Sequence, residues 1–227
     1  MPTMKLTGLL RLVAVIAIFM AGVWSQSSGV IEEFLFYIPD IQFLTVQHLW
    51  LTALSGGLAI LVAVPLGIIL SRPSMTRYAE SAMQVLNVGT TIPTLAVLAL
   101  SMSFLGIGTV PAVFGLFVAT LLPITRNTYT GLKGVSPALK EAASGIGMSP
   151  LQRLMRVELP NALYVMFAGI RTALAINVGT VPLAFLIGAG GLGELIFTGI
   201  DLYDPITMLS GAIPTALVAI GVAVLVA

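Results

Sequence analysis

The chain has 227 residues, of which 58% are hydrophobic and 8% charged, with a formal net charge of +1 and a mean hydropathy of +1.07. A soluble domain carries roughly 25% charged residues, so this composition excludes a water-facing globule and implies five or six membrane spans of about 20 residues each. With no cysteine, disulfides, thiolate nucleophiles and cysteine metal sites are excluded as well.

The first apolar stretch lies near 8–24, after Lys5 and around Arg11. Its basic start and the small residues Ala21-Gly22 are features of a cleaved signal peptide. The cleavage pattern is poor and Arg11 shortens the apolar core, which favours a retained signal-anchor span. The second stretch runs near 48–70 and holds Pro65. The third, near 82–104, is the least clean, with Gln84, Asn87, Thr90 and Thr91 in its first half and Pro93 just after them. The fourth lies near 109–127. A long polar run separates it from the fifth, near 161–187, which carries Asn177, Gly179, Thr180 and Pro182. The sixth, near 206–227, contains Pro214 and is still apolar at Ala227, so a polar tail is expected to follow. Prolines inside spans are tolerated where neighbouring helices or a wet cavity satisfy the freed backbone groups. The expected organisation is a polytopic all-α membrane helix bundle. Residues 1–44 form an N-terminal span and external segment, and residues 45–227 form the transmembrane domain.

Charge placement gives the topology. Lys5 and Arg11 accompany span one, Arg72 and Arg77 lie between spans two and three, and Arg126, Lys133, Lys140, Arg153 and Arg156 surround the segment between spans four and five. The opposite loops, 25–47, 105–108 and 188–205, hold no Lys or Arg but do hold Glu32, Glu33, Asp40, Glu194, Asp201 and Asp204. By the positive-inside rule the N-terminus and the 128–160 segment face the cytoplasm. Arg171 is left over, about 15 Å along the helix from Asn161. Either it snorkels to the interface or it faces the bundle interior.

The polar run Ser136–Pro160 reads as two short helices. Ser136 is an N-cap with Pro137 at the first helical position, and Ser149-Pro150 repeats the signal. Gly145 and Gly147 end the first helix and permit a sharp turn. Leu139, Ala142, Ala143 and Ile146 share one face of the first helix, and Leu151, Leu154 and Met155 share one face of the second. Leu159-Pro160 is expected to break the chain before span five. A helix this short is not stable alone. It either packs under its own bundle or offers its small-residue face to a partner.

The spacing Glu141-Ala142-Ala143, then Gly147, Val157 and Leu159-Pro160 resembles the EAA loop of binding-protein-dependent ABC importer permeases. That pattern is EAA-x3-G-x9-I-x-LP, and Val157 in place of Ile is the one departure. The resemblance implies a five-helix permease core plus an N-terminal span, in a bacterial inner membrane. It implies that Glu141, Ala142, Ala143 and Gly147 dock the first helix, the coupling helix, on a cytoplasmic ATP-binding subunit, with Leu159 and Pro160 completing the motif. It also implies two copies of that subunit, which would hold ATP and Mg2+, a second permease chain, identical or related, and an extracytoplasmic substrate-binding protein. No cofactor is expected in this chain, and no nucleic acid among its partners.

Thr91–Leu100, Leu122–Leu132 and Ala168–Ala173 resemble the osmoprotectant branch, which imports glycine betaine, choline or carnitine. The run Leu186–Ile196 is shared with methionine and phosphonate permeases and discriminates poorly. A methionine-type permease is therefore the rival within the class. A secondary transporter or channel is the rival outside it, disfavoured because no acidic residue lies mid-span to couple ions. An enzyme is disfavoured too, for want of reactive groups. The glycines Gly188, Gly190, Gly191 and Gly193 form either an outer gate or a plain turn. Asn87, Thr90, Asn177 and Thr180 either line the path or join helices by hydrogen bonds. His48 is expected at the outer interface, and Glu194 either meets the binding protein or is solvated. Trp24, Phe34, Phe36 and Tyr37 are expected as interfacial anchors.

Overall fold

The computed structural model describes residues 29–226, together with Val15, Ile16, Met20 and Gly22. The rest of the expected first span, with Trp24, lies outside the described residues. In chain order the helices are α1 (Val30–Phe36), α2 (Ile38–Leu70), α3 (Thr76–Thr91), α4 (Thr94–Leu105) and α5 (Thr109–Lys133). There follow α6 (Pro137–Gly145), α7 (Pro150–Arg153), α8 (Leu159–Thr180), α9 (Gly193–Asp201) and α10 (Pro205–Leu225). No strand occurs among the described residues. Only an all-helical chain can satisfy its backbone inside hydrocarbon without closing a barrel. Among the described residues, four helical runs are long and apolar enough to cross a membrane, and the α3–α4 pair makes a fifth if it counts as one span.

Three spans differ from the simple reading. The second begins at Ile38, ten residues early, because Pro39 at the start and Asp40 in the first turn favour a helix N-terminus there. The 44/45 division thus falls inside one continuous helix. The third is two helices bent by 95°. Pro93 forces Ile92 before it into an extended conformation (φ −76°, ψ 123°), which ends α3. The fifth starts well before Asn161, and the expected break at Leu159-Pro160 does not occur. A π turn over Leu154–Glu158 joins α7 to α8, so one helical run extends from Pro150 to Ile187. Pro160 falls in the first turn of α8, and its i−4 carbonyl, on Arg156, lies in the π turn, where the i→i+5 pattern does not need the missing N–H.

α5 is the central helix, packed against α2, α8 and α4, while α10 leans on α9 and α8. Small residues permit the contact. A Cβ on Gly67 would sit 2.6 Å from that of Thr128, and one on Gly169 would overlap Asn127. Close backbone approach of this kind is how membrane helices associate without a hydrophobic drive between them. The core falls into layers: Leu51, Leu98, Leu116 and Val181 toward the glycine loop, Ala59, Ala63, Ile124 and Ala173 in the middle, and Leu132, Val135, Ala162 and Met166 toward α6.

Polar seams join the helices as well. His48 is not interfacial but fully buried, and its Nε2 donates to the Val178 carbonyl at 3.0 Å. Ser55 and Asn177 exchange hydrogen bonds two turns further along the same α2–α8 seam. Tyr37 is held by Thr207, whose hydroxyl also bonds the Asp204 carboxylate that caps α10. Arg171 is exposed on α8.

Candidate functional site

The α5–α8 connection is built by its caps. Ser136 is the N-cap of α6 and Pro137 its first residue, although the Ser136 hydroxyl makes no capping bond. The helix ends in a Schellman motif, with Met148 N–H donating to the Ala143 carbonyl and Gly147 N–H to the Ser144 carbonyl. That motif requires a left-handed residue, and Gly147 supplies it at φ +81°. Ser149 then opens α7 with a capping box. Its hydroxyl accepts from Gln152 N–H, and Gln152 Oε1 accepts from Ser149 N–H. The Ser-x-x-Gln spacing announces this box in the sequence.

The two short helices present apolar side chains outward. Ile146 (75% exposed), Leu151 (68%) and Met155 (58%) have no cover, and Leu139 is half exposed beside them. Glu141, Ala142 and Gly147 share that exposed surface, whereas Ala143 is buried against the bundle. Leu159 packs on the Leu132–Met166 layer, and Pro160 is exposed.

Beneath this face lies a cluster of ionic groups. Glu158 is almost fully buried and accepts from Arg72 Nη2 at 2.6 Å and Arg153 Nε at 2.9 Å. Arg153 also donates to Ser144 Oγ on α6 at 3.0 Å. Lys140 donates to the Leu132 carbonyl at the end of α5 at 2.9 Å. Burial pulls the Lys140 ammonium below its ordinary value, against the opposing pull of the Glu158 carboxylate. Glu158 does not stand out in the sequence analysis. Its one signal there is being a lone acid between Arg153, Arg156 and the following apolar span.

At the opposite end, the 3-10 segment Val181–Ile187 closes in a second Schellman motif, with Gly188 at φ +79°. The glycine turn is anchored from two sides. Gly191 N–H donates to Gln47 on α2 at 3.0 Å, and Gly108 N–H donates to the Ile187 carbonyl at 2.8 Å. Gly193 lies so close to the Pro182 carbonyl that no Cβ fits. Gly188, Gly190, Gln47, Phe185 and Glu194 border a shallow depression of about 390 Å³. A second cavity of about 400 Å³ lies in the α3–α4 bend, bordered by Val85, Gly89, Ile92, Thr94, Val118 and Ile176. Asn87, Asn177 and Thr180 do not converge on it. Asn87 is exposed on α3, Asn177 is buried against Ser55, and Thr180 bonds back to the Ile176 and Asn177 carbonyls. The side chain of Thr90 lies outside the described residues.

A span bent at Pro93, an exposed amphipathic helix pair at one end and an anchored glycine turn at the other make up a polytopic membrane helix bundle. Residues 63–227 match the binding-protein-dependent transport system inner membrane component family, and the chain belongs to it. It is 58% identical over 181 residues to the osmoprotectant import permease protein OsmY of Salmonella typhimurium, covering 80% of this chain and 77% of that one. It is 43% identical to the choline transport system permease protein OpuBB of Bacillus subtilis, covering 80% and 82%. The fold also resembles a chain of the MetNI methionine ABC transporter in an inward-facing conformation, at a TM-score of 0.73 and 22% identity, covering 82% and 94%.

Proposed function

We propose that this permease forms the membrane path of an ATP-driven importer for quaternary ammonium osmoprotectants such as glycine betaine, choline or carnitine. The observation that carries the substrate class is the extent of its likeness to relatives named for osmoprotectant and choline transport. The likeness to the methionine transporter, at 22% identity, concerns the fold alone.

In this reading the N-terminus and the α5–α8 connection face the cytoplasm, as the basic residues in those segments favour. The exposed face of α6 and α7 docks on an ATP-binding subunit, present in two copies and carrying ATP and Mg2+. Glu141, Ala142, Ala143 and Gly147 form the docking element, and Leu159 and Pro160 pass its movement into α8. Five spans are too few to enclose an alternating path, so a second permease chain completes it. Asn87, Thr90 and Thr180 are assigned to the path, and Asn177 to the seam that holds α2 against α8. The anchored turn of Gly188, Gly190, Gly191 and Gly193 faces the substrate-binding protein. The aromatic cage suited to a quaternary ammonium belongs to that protein.

The test is uptake into proteoliposomes containing this chain, its ATP-binding subunit and the binding protein. The expected result is ATP- and Mg2+-dependent accumulation of radiolabelled glycine betaine or choline. Accumulation of methionine in their place would overturn the substrate assignment.

A further inference from the structure

We propose that Glu158 is a positioning residue of the coupling loop, through which movement of α6 reaches α2. The proposal rests on the reading of α6 as the ATPase-docking helix. The main contacts of α6 are with α7 and the π turn, so a firm hold on the second span has to come from elsewhere. The side chains supply one. From α6, Ser144 Oγ accepts from Arg153 Nη1; Arg153 Nε donates to one oxygen of Glu158; Arg72 Nη2 donates to the other. Arg72 is itself fixed to the end of α2, donating to the Ile68 carbonyl and to Ser71 Oγ.

Among the described residues the carboxylate is where the hydrogen bonds from both ends meet. Its side chain is 3% exposed, against 24% and 25% for the arginines, so it is shielded from the water that loosens surface ion pairs. A buried ion pair adds little net stability, because desolvation offsets the attraction. What it fixes is geometry, since charge-assisted bonds to both oxygens hold two guanidinium groups at set angles. α6 has a second fastening, Lys140 on the Leu132 carbonyl, but that one leads to α5. Besides the continuous chain into α8, movement of α6 therefore has a route to α5, through Lys140, and one to α2, through Glu158. The π turn that carries Glu158 is the element that aims it. It rotates the chain between Arg153 and α8 so that a residue five positions beyond Arg153 points back at it.

The experiment uses the full complex in proteoliposomes and measures radiolabelled glycine betaine moved per ATP hydrolysed. In Glu158→Gln the shape is kept and the charge lost. Transport per ATP is expected to fall about tenfold, within the usual range for a coupling between sites, with a smaller fall in Ser144→Ala. A Glu158→Gln complex that assembles and keeps the wild-type ratio overturns the proposal, even if both rates drop together. If Glu158→Gln does not accumulate, Ser144→Ala at its exposed site decides: a lowered ratio supports the proposal and an unchanged one overturns it. A wild-type complex without ATP-driven uptake overturns the transport reading, and this proposal with it.

Discussion

Pro182 leaves a debt in the backbone that His48 settles. A proline at that position has no N–H to give the Val178 carbonyl four residues earlier, and Val181 N–H is already committed to the Asn177 carbonyl. His48, 130 residues away in sequence, donates instead. A carbonyl can only accept, so the ring carries its proton on Nε2. His48→Leu keeps most of the volume and removes the donor. It is expected to cost about 1–3 kcal/mol, the penalty of a buried unsatisfied group, read as a lower unfolding midpoint in detergent. The need for a donor near Pro182 is legible in the sequence; its identity is not, because it depends on which helix lies alongside. Asp204 offers a pH-dependent case at the same scale. Hydrogen bonds from Thr207 and from Ile206 N–H hold its carboxyl below the ordinary value of 3.8. A depressed folded value means the cap contributes fully above the unfolded value and is lost as pH falls through the folded one. The protection of amides at the start of α10, measured as exchange relative to the intrinsic rate at each pH, should therefore fall on acidification through the carboxylate range, and in Asp204→Asn it should not change over that range.

Among the elements, the α6–α7 pair was the most legible, because its signals are local: serine-proline starts and a glycine stop that needs positive φ. The spans around it were less so. Pro160 and Pro93 carry the same one-residue signal, yet the chain continues through the first and bends by 95° at the second. A π turn upstream absorbs Pro160, and the one-residue signal does not announce that turn. The exposed apolar face gives this scale its predictions. Ile146→Asp adds a charge where the protomer makes no use of the side chain, so the permease should fold and insert as before. It should no longer co-purify with its ATP-binding subunit. Gly147→Val acts on the turn between the helices. A β-branched residue at φ +81° costs about 1–2 kcal/mol, enough to redirect α7 against α6. ATP-driven uptake should be lost while the amount of permease in the membrane is unchanged; persisting uptake would contradict the coupling role of the turn.

For the molecule as a whole, composition fixes the solvent, and charge placement gives the expected orientation of the bundle. The packing order depends on which small residues meet, as Gly67 meets Thr128 and Gly169 meets Asn127, and a single sequence does not pair them. Orientation is the part of the fold reading most open to direct measurement, because the chain contains no cysteine and any introduced thiol reports alone. Ser136 caps α6 without using its hydroxyl, and Tyr203 stands 93% exposed in the turn before α10. Positive-inside placement puts the first in the cytoplasm and the second outside. In intact cells a membrane-impermeant maleimide should label Tyr203→Cys at once and Ser136→Cys only after permeabilisation. With the ATP-binding subunit bound, Ser136→Cys should be shielded even then. The reverse pattern would invert the bundle and place α6 out of reach of any cytoplasmic ATPase.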